Sequence, residues 1–95
     1  MTPRQWCSLA ADQGSADAQN NLGVAYLKGD GVPQDFVRAH MWFNLSAAQG
    51  KKSAAKNRDR IAALMTPAQI AEAQTLAREW RPERPERPQS RLIRS

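Results

Sequence analysis

A self-similarity at an offset of 36 residues constrains this chain more than any other feature. Trp6, Leu9, Ala11, Gln13 and Gly14 recur as Trp42, Leu45, Ala47, Gln49 and Gly50. The same offset relates Ala18 to Ala54 and Asn21 to Asn57. A period of this size marks a supersecondary unit that cannot bury its apolar face alone and stacks on copies of itself. No stretch alternates apolar and polar residues as a half-buried strand would.

Local punctuation agrees with the period and predicts five helices. Thr2-Pro3-Arg4-Gln5 reads as an N-cap, a proline at the first helical position and a glutamine able to close a capping box. That helix runs to about residue 13 and stops at Gly14. Ser15 caps a second helix ending near Lys28, with Ala18, Leu22, Ala25 and Tyr26 on one face. Gly29, Gly31 and Pro33 interrupt the pattern, and Asp35 caps a third helix over 36–49. Ala39, Phe43 and Ala47 form its stripe, with Trp42 beside them. A more polar helix follows over 51–64. Thr66-Pro67-Ala68-Gln69 repeats the capping box and starts a last helix, with Ile70, Ala73, Ala77 and Trp80 in a row. From Arg81 the Arg-Pro-Glu repeats cannot be helical and carry nothing to bury, so 81–95 reads as a disordered tail.

Charge and composition narrow the function. The net charge is +5, yet five arginines and only two glutamates fall in the last 15 residues. The remainder is nearly balanced, which argues against the helical part as a nucleic-acid platform. One cysteine, Cys7, excludes an internal disulfide. No apolar run is long enough to span a membrane, and the N-terminus does not resemble a signal peptide. As written the chain reads as cytoplasmic; if it is an N-terminally truncated fragment, it reads as periplasmic or secreted.

The segment Ala18-Gln19-x-x-Leu22-Gly23-x-x-Tyr26-x-x-Gly29-x-Gly31-Val32-x-x-Asp35-x-x-x-Ala39-x-x-Trp42-Phe43-x-x-Ser46-Ala47-x-x-Gly50 resembles one complete repeat of the Sel1-like family. Residues 6–14 resemble the second half of a preceding repeat, and 51–80 resemble the helix pair that often closes such arrays. The Gly-x-Gly-Val turn and the terminal glycine separate this pattern from tetratricopeptide repeats. The resemblance implies an all-α fold of antiparallel helix-pair repeats, winding into a short right-handed superhelix with a C-terminal capping helix pair. The expected division is a half repeat over 1–14, a full repeat over 15–50, a capping pair over 51–80 and the tail. Two departures stand out. Ser46 replaces the usual alanine, and Arg58 and Asp59 occupy the places of Leu22 and Gly23, so a further repeat could not stack in the usual way.

Members of that family act as adaptors in bacterial signalling and envelope processes and in eukaryotic protein quality control. The resemblance therefore implies a scaffold that binds a protein or peptide, with no catalysis, cofactor or small-molecule substrate. The groove of such an array is lined by the first helix of each pair. Asn20, Asn21, Val24 and Leu27 are its candidate binding residues, joined by Lys56 and Arg60 at the repeat offset of Asn20 and Val24. The plain alternative is a solvated helix face, with Leu27 against the next helix. Trp6, Leu9 and Ala10 lack a preceding helix to cover them: either an upstream part of the protein is missing or the face pairs with another chain, and the expectation is a homodimer through it. A competing expectation is weak binding of nucleic acid or an anionic membrane surface by the arginine-rich tail. His40, the only histidine, and Cys7 lie too far apart to form a catalytic pair or a metal site. Asp30-Gly31 lacks the further carboxylates of a calcium loop.

Overall fold

The computed structural model describes residues 10–81. Residues 10–12 end a helix, and four more follow: α1 (Ala16–Lys28), α2 (Phe36–Ala48), α3 (Lys52–Ala62) and α4 (Pro67–Glu79). No strand occurs among the described residues. The expected first helix over 3–13 lies largely outside them, and so does the tail over 81–95, apart from Arg81.

The helix ends follow from side chains that satisfy exposed backbone N–H groups. Ala18 N–H donates to Ser15 Oγ at 3.2 Å, and Arg38 N–H to Asp35 Oδ1 at 3.1 Å. At α4 the box is reciprocal: Gln69 N–H donates to Thr66 Oγ1 and Thr66 N–H to Gln69 Oε1. Replacing Thr66 by Ala is expected to cost about 1 kcal/mol, read as a lower urea midpoint with an unchanged slope. Gly29 ends α1 in the left-handed conformation, φ 74, and Gly31 follows at φ 80. The turn between α1 and α2 is stitched back to α1 by Asp35 N–H to Tyr26 O at 3.0 Å and by Gln34 Nε2 to Leu27 O at 2.8 Å.

These links join the end of α1 to the start of α2. At the other end, Ser46 Oγ donates to Ala16 O at 2.7 Å, so the two helices run antiparallel. Ser46, standing where alanine is usual in the family, is buried and ties the pair together. A second tie runs through buried Gln19. Its Nε2 donates to Ala11 O at 3.2 Å, and its Oε1 accepts from Gln49 Nε2 at 3.0 Å. Gln49 Nε2 also donates to Gly14 O at 2.8 Å. The glutamine that recurs with the period therefore holds the junction between repeats, and Gln19 can sit in the interior because both ends of its amide are partnered.

Helix α2 is the centre of the molecule. Ala39, His40, Met41, Trp42 and Phe43 are all buried, more than one full turn, so α2 is covered on nearly every side. One apolar cluster joins its Met41 and Trp42 to Ala11, Ala18 and Leu22; Leu76, Ala77 and Trp80 pack against it. The other joins Ala39 and Phe43 to Ile61, Met65 and Ala73, with Val24, Leu27 and Ile70 packed against it. Trp80 meets Trp42 edge-on, ring centroids 6.0 Å apart and planes at 74°. At the closest approach of α1 and α2 stands Gly23, where a Cβ would come 2.6 Å from two carbons of the Phe43 ring.

The two helices expected to close the array are present as α3 and α4. Each packs on α2, and they make almost no contact with each other. The repeat offset explains this. It carries Leu22 and Gly23 onto Arg58 and Asp59, and Trp42 and Phe43 onto Arg78 and Glu79. The apolar seat that joins α1 to α2 is therefore missing from both partners. Arg58 instead bonds Asn44 Oδ1 and its own neighbour Asp59, each at 3.3 Å.

Candidate functional site

The helices α1 and α3 lie side by side. Lys51 Nζ stands 2.6 Å from Asp17 Oδ1 near their starts, and Asn57 Nδ2 donates to Asn20 Oδ1 at 3.2 Å further along. The two contacts advance together along both helices, so α1 and α3 run in the same direction, as stacked repeats require.

The six candidate residues divide into two sets. Asn20, Val24 and Leu27 are half-buried. Asn20 is engaged by Asn57, while Val24 and Leu27 pack against the cluster around Phe43 and Ile61. Asn21, Lys56 and Arg60 are exposed, and neither cation forms an ion pair among the described residues. Asn57 was not among the candidates. Its signal was present, since it repeats Asn21 at the 36-residue offset.

His40 is buried, 3% exposed, and its Nδ1 has no hydrogen-bond partner among the described residues. Its pKa is lowered, first by burial and then by the Arg58 guanidinium, with Asp59 opposing. A neutral imidazole inside an apolar helix interface is a packing residue with a titration consequence. No group of three or more His, Cys, Asp or Glu among the described residues is placed to hold a metal ion. Among those residues no helix is long and apolar enough to cross a membrane. An open depression of about 340 Å³ between α2 and α4 is lined by Asn44, Leu45, Ala48, Gln74, Ala77 and Arg78.

Of the expected dimer face, Trp6 and Leu9 lie outside the described residues, as does Cys7. Ala10 is half-buried against the cluster of Ala11 and Trp42. The tail arginines proposed as anion ligands also lie outside, apart from Arg81, whose guanidinium donates to Arg78 O and Trp80 O.

Antiparallel helices joined by a Gly-rich turn, with first helices aligned between units, define a helical-repeat protein. The Sel1 repeat model matches residues 4–15 and 16–51, half of the chain, and the chain belongs to the Sel1 repeat family. Its repeats are generally protein-interaction modules, and the family is a non-catalytic scaffold family. A search of curated proteins returns no match.

Proposed function

We propose that this chain is an adaptor module, and that the face shared by α1 and α3 holds a segment of a partner protein. The observation that carries this reading is the Asn20–Asn57 hydrogen bond. It sets α1 and α3 side by side, and Asn21 on α1 and Lys56 and Arg60 on α3 are exposed. Asn20, Val24 and Leu27 form the floor of that surface: they shape it without being free to change partners. Asn21 offers a donor and an acceptor to a peptide main chain, and the cations favour an acidic segment or a C-terminal carboxylate.

The test is selection of peptides from a random displayed library against the full chain, followed by binding to variants. Asn21→Ala and Arg60→Ala should each weaken the selected peptides at least about fivefold, the level of a contributing interface residue. Arg78→Ala, in the depression between α2 and α4, should leave them unchanged. Peptides that bind all three variants equally would remove this face from consideration.

A further inference from the structure

Lys52, Lys56 and Arg60 stand at i, i+4 and i+8 of α3, and all three are exposed. Successive members are about 6 Å apart along the axis. None is in an ion pair among the described residues, whereas Arg38, Lys51 and Arg58 each hold an acid of this chain. The repeat does not demand the row, because the corresponding positions of α1 are Ala16, Asn20 and Val24. The helix gains from it only at its end, where Arg60 lies in the last turn. Like charges four residues apart disfavour a helix. Lys52 also sits in the first turn, where the helix dipole opposes a cation, and α3 has no side-chain cap hydrogen bond.

We propose that this row receives an extended segment of a partner protein carrying acidic side chains at alternate residues. The proposal rests on the α1–α3 reading above and specifies its ligand. Alternate residues of an extended chain are about 6.7 Å apart on one face, close to the spacing of the cations. An extended segment also keeps its main-chain groups open to polar side chains, which a helical ligand would have used internally. The phosphates of a single-stranded nucleic acid present a similar charge row. Stacking on aromatic side chains normally supports that kind of binding. The only exposed large apolar side chain among the described residues is Leu64, so the surface favours a peptide.

Fluorescence anisotropy of the full chain would use three labelled probes. One is a peptide with aspartates alternating with serines, one has the same composition with its aspartates consecutive, and one is oligothymidine. The alternating peptide should bind about tenfold more tightly than the consecutive one, the combined worth of a few exposed ion pairs. The preference should shrink as salt is raised. Lys56→Glu should abolish it, and Arg78→Glu should not. Equal binding of the two peptides, a preference that survives Lys56→Glu, or tighter binding of oligothymidine would each overturn the proposal. The two readings fail separately. If a neutral selected peptide is weakened by Asn21→Ala while the acidic peptides show no spacing preference, only the charge row falls. If Lys56→Glu abolishes the preference and Asn21→Ala changes nothing, the row stands and the wider groove falls.

Discussion

Replacing Phe43 by Ala should cost about 3–5 kcal/mol, enough to leave much of a small domain unfolded. Phe43 is fully buried and sits in the cluster that joins α2 to α3 and α4 while its ring lies against Gly23 of α1. Its loss therefore loosens three interfaces at once. Gly23→Ala should fail by the opposite route. In an exposed helix this change would stabilise by roughly 1 kcal/mol. Here the new methyl would stand 2.6 Å from the ring, and relieving that overlap should cost about 1–3 kcal/mol. The double variant separates the two causes. With the ring gone the methyl has room, so Gly23→Ala should be harmless or stabilising in the Phe43→Ala background, a coupling within the usual range of about 0.5–3 kcal/mol. Urea titration of the four proteins measures it. Additive losses would mean that the Gly23–Phe43 approach is not what fixes the spacing of α1 and α2.

That contact was half legible. A glycine inside an apolar helical stripe signals that something approaches closely, and the repeat shows which helix it is. Nothing local shows that the approaching group is one edge of Phe43. Capped ends were readable for the same reason: Ser15, Asp35 and Thr66 act on N–H groups three residues away, within the reach of sequence reasoning. The partner of α4 was not. Its stripe of Ile70, Ala73, Ala77 and Trp80 shows which face is buried, but not against what. Chain neighbours usually pair, which favoured α3. Arg58 and Asp59 removed the seat there, and the apolar surface of Met41, Trp42 and Leu45 on α2 took its place. The candidate binding face illustrates the same limit. The family resemblance implied that Asn20, Val24 and Leu27 line a groove, yet whether a side chain there is free or engaged depends on α3, a neighbour more than 20 residues away in the chain.

His40 leads to a second expected result, a loss of stability as pH falls below neutrality. The imidazole is buried against α3 with Arg58 and Asp59 as the charged groups acting on it, and its pKa is lowered from 6.5. In the unfolded chain it takes up a proton near pH 6.5, whereas in the fold it resists until lower pH. The unfolded state then binds more protons, so stability rises with pH through this window. The contribution is complete above 6.5 and is lost as pH falls from there toward the folded value. The melting temperature should therefore fall as pH is lowered from about 7.5 to 5.5. His40→Leu should flatten that dependence. It also removes a buried Nδ1 without a partner, so the variant should be at least as stable as the parent at neutral pH. A pH dependence that persists undiminished in His40→Leu would place the titrating group elsewhere. A flat profile in the parent would mean that the α2–α3 interface opens enough to hydrate the imidazolium.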